Sequence, residues 1–481
     1  MKLRFLILLA VTLPGVAQTP AAPKPIKWGN VLIQGSVRAR FEAWNWFKPD
    51  AGDPDYGYLG NIARLGFSRT TDSLDWQVEL AAPILLGLPK NAVGPGTQGQ
   101  LGLGASYFLA NGRSRNAVAL FPKQAWMKFK RRGHAIRIGR FEHMDGSETT
   151  PKNPTLAAVK RDRVNMRLLG HFGWAHVGRS FDGAHYTYNH GGGNFTAIGA
   201  IPTRGVFQTD GWGQTHTAFA YAAQTWNWGA GRHSADTRLF ALQYHDWRDV
   251  LKTDNRPLAV RRADLAGIRI ETFGGHSVHA FNAGVAVFDL LLWGAAQTGR
   301  WGVLTHRAHA VDVEAGIQPK AGGRWKPWLR GGFFDGSGDS DPGDTRHGSF
   351  FQVLPTPRPF ARFPFFNMMN SRDLFAMLIL RPHPRVTFSG EVHSLQLSHR
   401  NDLWYQGGGV FQPWSFGYVG RAANAARSLA NLYDASLEYR WRPELSFTGY
   451  FGVAQGLAAI HAIYPNGRRA HLAYVEAMYR F

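Results

Sequence analysis

The chain of 481 residues contains no cysteine, so it cannot rely on disulfides for its stability. After the N-terminal segment no stretch approaches 18 consecutive apolar residues, which excludes a bundle of membrane-spanning helices. Acidic residues are also scarce, 33 against 54 lysines and arginines, and the net charge of +21 favours anionic partners. Since no nucleic-acid-reading motif is present, we expect no nucleic acid among them.

The N-terminus has the features of a secretory signal. Lys2 and Arg4 precede an apolar run from Phe5 to Leu13, and small residues at 15–17 provide a cleavage site. The following stretch, "TPAAPKPIK", is rich in proline and predicts an extended lead-in. We therefore divide the chain into a signal peptide (1–17), a periplasmic lead-in (18–29) and a single domain (30–481).

Glycine and aromatic residues, in contrast, are abundant, with 56 glycines and 13% aromatics. Polar and apolar residues alternate through much of the chain, as in "SLDWQVEL" at 73–80, where Trp76 and Val78 share one face and Gln77 and Glu79 the other. The polar face often carries paired opposite charges, and the apolar face often ends in Tyr or Trp. This pattern is typical of a transmembrane barrel with a wet lumen and aromatic girdles. Similar alternation is found at 31–44, 309–317, 435–441 and 473–481.

Short and long connections alternate along the chain. Eight short turns and nine long loops predict an all-β, antiparallel, up-and-down transmembrane barrel of about eighteen strands, although sixteen also fit. The long loops would be extracellular, and both termini would lie on the periplasmic side. The expected turns are near 71 and 232 and at 131–133, 190–193, 274–276, 319–324, 382–384 and 442–444. The expected loops are 46–58, 86–116, 143–182, 201–214, 247–261, 289–305, 335–372, 398–429 and 457–468.

The alternation also predicts which side chains face lipid and which face the lumen. The last strand would close the ring against the first, so that it is not an exposed edge. Its terminal Phe481 would face lipid, and it resembles the signal that the barrel assembly machinery recognises. The lipid-facing set is Trp76, Val78, Val313, Phe388, Leu437 and Tyr479. The lumen-facing set is Gln77, Glu79, Asp312, Glu391, Glu438 and Arg480.

Three stretches, "KQAWMKFKRRGHAIRIGRFEH", "RLLGHFGWAHVGRSFDGAHY" and "FFDGSGDSDPGDTRHGSFFQVLPTPRPFARFPFFNMMN", resemble the alginate export family of Gram-negative outer-membrane proteins. The resemblance implies an eighteen-stranded barrel with an arginine-rich pore through which an anionic polyuronate leaves the cell. It also implies lipids and lipopolysaccharide as surroundings, and periplasmic polymer-export proteins as partners.

Passing a polyuronate requires fixed cations along the bore, and no single site may bind too tightly. Arginine is suited to this role because its planar fork binds carboxylates bidentately and keeps its charge. Alternation places Arg38, Arg40, Arg64, Lys128, Arg137, Arg269, Arg330 and Arg440 in the lumen. The family resemblance adds Arg140, Arg167, Arg179, Arg358 and Arg362. Because simple alternation puts Arg140 on the lipid side, we expect a bulge at Gly139 to turn it inward.

The predicted loop 335–372 combines an acidic start with an apolar end. "DGSGDSDPGD" does not fit a calcium-binding EF-hand loop, since Arg346 stands where a bidentate glutamate is required, and a turn-rich acidic loop is the better interpretation. The later run "FPFFNMM" is too apolar for a solvated loop, so we expect it to fold into the barrel and bring Arg358 and Arg362 to a constriction.

No catalytic residue, metal site or cofactor is predicted. His306 and His309 would face opposite sides of a strand, and no G-x-S-x-G elbow is present. The favoured function is therefore an export channel for an acidic polysaccharide. An anion-selective uptake porin, an outer-membrane barrel enzyme and a secreted soluble β protein are the alternatives. Sequence cannot separate export from uptake, because a passive bore has no intrinsic direction.

Overall fold

The computed structural model describes residues 26–356 and 360–481. The expected signal peptide, most of the expected lead-in, and Arg358 lie outside these residues. Twenty-three strands are described, and their bounds in chain order are as follows. They are β1 Ile26–Trp28, β2 Val31–Asn45, β3 Asp55–Thr70, β4 Leu74–Leu86, β5 Ala117–Val118, β6 Phe121–Arg131, β7 His134–Phe141, β8 Phe181–His190, β9 Gly193–Pro202, β10 Thr217–Ala230, β11 His233–Asp246, β12 Ile268–Asn282, β13 Ala286–Trp301, β14 Leu304–Pro319, β15 Trp328–Gly336, β16 Arg346–His347, β17 Ser371–His383, β18 Val386–Gln396, β19 Leu403–Gly407, β20 Tyr418–Ala422, β21 Ser428–Arg440, β22 Leu445–Gly456 and β23 Arg469–Arg480.

Eighteen of these strands form a closed antiparallel barrel. The ring closes where β23 pairs with β2, in a register that places Tyr479 opposite Val37 and Glu476 opposite Arg40. Phe481 extends this pairing through two backbone hydrogen bonds of 3.0 Å with Gly35. The chain therefore ends in a paired strand, and the predicted fold class and strand count are confirmed. The short strands β1, β5 and β16 pair onto the ring, and β19 and β20 form a separate ribbon.

One predicted turn and one predicted loop are wrong. The glycine pair at 274–276 lies within β12, and the chain reverses instead at 283–285. Gly274 and Gly275 are opposite Ala295 and Gly294 of β13. A Cβ at Gly274 would meet the backbone carbonyl of Gly294, so glycine is needed here for close backbone approach rather than for a turn. The expected loop 289–305 is mostly strand, since only Gly302 and Val303 join β13 to β14. Each error misplaces a connection without adding or removing one, so the count stays at eighteen.

The alternation of faces holds for the residue pairs predicted in β4, β14, β18, β21 and β23. Val78, Val313 and Leu437 are exposed on the outside of the barrel, whereas their neighbours Glu79 and Asp312 are buried within it. Glu391, Glu438 and Arg480 line an interior cavity. Because successive residues of a strand point to opposite faces, these assignments fix the orientation of each strand.

The barrel interior is partly filled by its own loops. Short helices occur in the connections: α1 Leu103–Ala110, α2 Pro154–Val159 with a π-helical turn Lys160–Val164, α3 Leu258–Ala263, α4 Ala458–Ile463, and 3-10 turns Gly96–Gln98 and Lys320–Trp325. Within the described ranges, no helix combines the length and apolar character needed to cross a membrane. The segment 142–180, here called the inner loop, is joined to the segment 337–370, the long loop, by a bridge between Leu169 and Leu354.

The prediction that the long loop folds into the barrel is confirmed. Phe363, Phe365 and Met368 are completely buried. Phe363 packs edge-on against Trp44 of β2, with 5.7 Å between ring centroids. The acidic start of the loop forms turns, in which Asp341 accepts from the amide of Gly343 and Asp344 from that of Arg346.

Candidate functional site

Two arginines of β2 face the interior because they are two residues apart on one strand. Arg38 donates to the carbonyl oxygens of Gly173 and Ala175, and thereby holds the inner loop. Arg40 forms an ion pair of 2.6 Å with Glu476 and one of 3.3 Å with Glu42. Both guanidiniums are buried, so their first role is to attach the inner loop and to close the β23–β2 seam.

Three further cations line the wall of β3, β6 and β7. Arg64 bridges Glu79 and Glu142, with 2.9 Å to the latter. Arg137 stacks on the ring of Phe141, with 4.3 Å between the guanidinium carbon and the ring centroid. Lys128 is 4.0 Å from Asp75. All three lie where alternation predicted them.

A dense charged cluster pins the inner loop to β13, β14 and β15. Arg330 is 2.9 Å from Asp289 and 2.8 Å from Glu314. Arg167 pairs with Asp312 and with Glu314, and Arg163 approaches Glu314 at 2.9 Å. These groups are desolvated and compensated by carboxylates, so they stabilise the inner loop and offer little charge to a passing solute.

Arg179 and Arg362 belong to loops inside the barrel. Arg179 is completely buried and donates to the carbonyl oxygens of Val410 and Gly408. Burial lowers the pKa of Arg179 to about 10, which still leaves it charged at neutral pH. Arg362 in the long loop forms an ion pair of 2.6 Å with Glu438 of β21. The long loop is therefore tied to the barrel wall through Arg362, and the constriction expected beside it stays a prediction.

Two predicted lumen residues lie on the outer surface. Arg140 pairs with Asp182 at 2.7 Å, and the β6–β7 ladder keeps its register through Gly139. The expected bulge is therefore absent, and Arg140 shares the face of Ile136 and Ile138, as simple alternation requires.

Arg269 also points outward, with 62% of its side chain exposed, and pairs with Glu271 at 3.1 Å. The inward positions beside it are Ile268 and Ile270, which are buried in the core formed with the loops. The prediction failed because the loops make the interior apolar at this end of the barrel. Apolar residues then face inward, and the usual assignment of faces is inverted.

Five of these arginines meet four others at the short-turn end of the barrel, in a cavity of about 770 Å³ that we call the periplasmic vestibule. Nine arginines and four carboxylates line it. The arginines are Arg38, Arg40, Arg64, Arg161, Arg163, Arg362, Arg381, Arg440 and Arg480, and the carboxylates are Asp162, Glu391, Glu438 and Glu476. A smaller cavity of about 440 Å³ beside β2–β4 shares Arg38, Arg64 and Arg480 with it.

Four vestibule arginines were missing from the predicted set. Arg480 of β23 was predicted to face the lumen but was not included among the residues of the polymer path, and Arg381 occupies an inward position of β17, where alternation alone would have found it. Arg161 and Arg163 lie on the π-helical turn of the inner loop, and no strand pattern could have placed them inside. Among the described residues, Arg381, Arg440 and Arg480 form no salt bridge, so their charge is available in the vestibule.

A closed eighteen-stranded barrel with a charged, loop-lined interior defines an outer-membrane channel. The chain belongs to the alginate export family, whose sequence model matches residues 110–449. No curated protein matches the chain.

Several solved outer-membrane proteins share the fold. The outer membrane protein OpdK of Pseudomonas aeruginosa is 10% identical with a TM-score of 0.55, over 93% of this chain and 98% of that one. OccAB2 of Acinetobacter baumannii is 9% identical with a TM-score of 0.58, over 94% and 98%. OccK9 (OpdG) of P. aeruginosa is 12% identical with a TM-score of 0.56, over 94% and 98%. Identities this low establish a common fold only.

Proposed function

We propose that this channel exports an anionic polysaccharide, alginate or a similar polyuronate, through an electropositive lumen. The observation that carries the proposal is the group of vestibule arginines that form no salt bridge among the described residues, Arg381, Arg440 and Arg480. A polymer that leaves the periplasm would enter the barrel there.

The chemistry of the vestibule suits a repeating carboxylate. A polyuronate carries one carboxylate per sugar, and each guanidinium can bind one bidentately. Arg381, Arg440 and Arg480 hold no carboxylate among the described residues, so a bound polymer does not have to displace an internal partner. Several weak contacts of this kind favour entry and still allow release.

Reconstitution of a charge-reversed variant in planar bilayers tests the proposal. Arg381→Glu, Arg440→Glu and Arg480→Glu together should abolish anion selectivity and the block of current by polyuronate added on the periplasmic side. Arg269→Glu is the matched control, because its side chain is on the outer surface. A triple variant that remained anion-selective and polyuronate-sensitive would contradict the proposal.

The length of the blocking sugar separates export of a polymer from uptake of small acids. If uronates block the channel current more strongly as their length increases from a monomer to long oligomers, the result supports a polymer path. Each added sugar then brings another carboxylate to the arginines. Equal effects of monomer and oligomer would favour the uptake porin. We further propose that residues 1–17 are a signal peptide and that Phe481 directs assembly of the barrel. Periplasmic polymer-export proteins would deliver the polysaccharide to the vestibule.

A further inference from the structure

A row of cations crosses the outer face of the barrel near the end where the long loops lie. Arg269 of β12 is directly opposite Arg300 of β13, and Arg300 is opposite Thr305 of β14. Thr305 in turn pairs with Arg346 of β16, and Arg307 lies two residues further along β14. All four arginines are exposed. Together they form a basic surface on the outside of the barrel, which we call the rim patch.

The rim patch has far more positive than negative charge. Glu271 forms an ion pair of 3.1 Å with Arg269. Among the described residues, no carboxylate forms an ion pair with Arg300, Arg307 or Arg346. The guanidinium of Arg346 donates instead to the backbone carbonyl of Arg307, at 3.3 Å. Because like charges directly opposite each other on neighbouring strands repel, the register of Arg269 and Arg300 is unfavourable unless an anion lies between them.

The height of the rim patch on the barrel corresponds to the head groups of the outer leaflet. Phe288, near the other end of β13, is exposed on the same face. From Phe288 to Thr298 the strand covers about 25 Å along the membrane normal, at about 3.3 Å per residue and a tilt of about 40°. Since the apolar band of such barrels is about 25 Å tall, Arg300 lies just beyond its outer edge.

The same face of the barrel is apolar directly below the rim patch. Phe273 of β12, Leu292 of β13 and Val311 of β14 are exposed there. To one side, an open hollow of about 650 Å³ lies on the outer face of β8–β12, with alanines along its floor and with Glu271 and Phe273 at its edge. Fixed cations therefore adjoin a surface that acyl chains can cover.

We propose that the rim patch binds lipopolysaccharide through the phosphate groups of its lipid A. A guanidinium donates two parallel hydrogen bonds to one phosphate, and a phosphate between Arg269 and Arg300 would relieve their repulsion. Lipid A carries two phosphates at opposite ends of a disaccharide, and the row from Arg269 to Arg346 spans three strand spacings, about 14 Å. The acyl chains would lie on the apolar surface below.

This contact does not depend on what the channel transports. The family resemblance implies lipopolysaccharide only as the surroundings of the whole barrel. The rim patch, in contrast, is one defined contact on β12–β14 and β16, at which the exposed arginines select phosphorylated head groups.

Binding of purified lipids to the full-length protein in detergent micelles tests the proposal. The probes are bisphosphorylated lipid A, the same lipid A without its phosphates, and phosphatidylglycerol. The wild type should bind bisphosphorylated lipid A at least about tenfold more tightly than either other lipid, because several charge-assisted hydrogen bonds depend on its two phosphates. The triple variant Arg300→Gln, Arg307→Gln and Arg346→Gln should lose this preference.

A second triple variant, Arg131→Gln, Arg132→Gln and Arg232→Gln, is the matched control. It removes the same net charge from exposed positions at the short-turn end and should keep the preference for phosphorylated lipid A. Equal affinities of the wild type for the three lipids would overturn the proposal without any variant. An unchanged preference in the rim-patch variant would also overturn it. If the lipid-free protein formed a stable dimer that lipid A could not dissociate, the patch would be an interface between copies of the chain instead.

Discussion

The ammonium group of Lys160 lies 2.7 Å from Asp236 Oδ2 and fastens the inner loop to β11. Both side chains are buried, and Asp236 also bonds to His276 at 2.7 Å. On the far side of the barrel, Arg38 of β2 holds the same loop through the carbonyl of Gly173. The inner loop is therefore attached to nearly opposite walls, and it forms a fixed partition rather than a free lid.

Breaking the Lys160–Asp236 pair should loosen this partition. Lys160→Met leaves a buried carboxylate without its cation, which costs about 3–5 kcal/mol. Lys160→Met with Asp236→Asn removes both charges and keeps a polar partner for His276, so most of the loss should be recovered. Denaturant unfolding in micelles and the noise of the open-channel current measure the effect. Equal destabilisation by the single and double variants would mean that the ion pair contributes nothing.

Substitutions to arginine should distinguish the two faces of the barrel. Val313→Arg places a charge toward lipid near the middle of β14 and should cost about 2–4 kcal/mol. Gln77→Arg is the lumen control, because it points inward beside Glu79 and should be tolerated. Asp312→Arg is not an equivalent control, because Asp312 is buried and already paired with Arg167. Reversible unfolding in lipid vesicles gives the two free energies, and similar costs would contradict the assignment of faces.

Much of the fold could be predicted because strands in a membrane obey one simple rule. Residues such as Val78 and Val313 meet lipid, and their neighbours Glu79 and Asp312 do not, so alternation gives the face and the connection lengths give the strand count. The rule fails where the loops replace water inside the barrel. Ile268 and Ile270 face inward there, so Arg269 lies on the outer surface and not in the lumen, where alternation had placed it.

The roles of the arginines were harder to predict than their positions. Arg330 and Arg440 are both inward residues of strands, and nothing in their sequence neighbourhood distinguishes them. Asp289 and Glu314, which bind Arg330, lie on the other strands β13 and β14 and meet it only when these strands pair in the barrel. The division between arginines that hold the fold and arginines open to the lumen is a tertiary property, which alternation does not encode.

Removing the long loop should enlarge the pore. Replacing residues 338–369 by a short glycine-serine turn takes Phe363, Phe365 and Met368 out of the barrel interior. We expect a clear increase in single-channel conductance. Deleting only the exposed acidic tip, 340–345, is the control, because that segment lies away from the buried part of the loop. Unchanged conductance after the larger deletion would place the long loop outside the ion path.

The contact between the long loop and the loop 397–427 should depend on pH. The carboxylate of Asp402, in loop 397–427, accepts a hydrogen bond of 2.7 Å from the hydroxyl of Tyr405. It accepts a second, of 2.9 Å, from the backbone amide of Asp339 in the long loop. Burial raises the pKa of Asp402 to about 6, although Ser349 and the other hydrogen-bond donors oppose the shift.

The sign of this pH dependence follows because the folded loops favour the protonated form of Asp402. The folded loops hold the proton of Asp402 up to about pH 6, whereas an unfolded aspartate loses it near pH 3.9, so stability should fall as pH rises between those values. Hydrogen exchange of the two loops measures this slope. Asp402→Asn should flatten the slope in that range, even if it lowers stability overall. If stability rose with pH in the wild type, or if Asp402→Asn left the slope unchanged, Asp402 would not be the group responsible for the pH dependence.

Arg330 and Arg440 should give opposite results when each is replaced by glutamine. Arg330→Gln leaves Asp289 and Glu314 buried without their shared cation, which should cost about 3–5 kcal/mol of stability. Ion selectivity should change little, because this guanidinium is enclosed by carboxylates. Arg440→Gln should leave stability within about 0.5 kcal/mol, since Arg440 forms no salt bridge among the described residues.

The effect of Arg440→Gln should instead be on permeation. Its guanidinium lines the periplasmic vestibule, so its loss should weaken polyuronate block, and most clearly at low salt, where the field of each charge extends about 10 Å or more. Unfolding measurements and reversal potentials on the same two variants check both halves of the prediction. If Arg330→Gln altered selectivity more than Arg440→Gln did, the polymer path would have to pass the cluster on β13–β15 and not the vestibule.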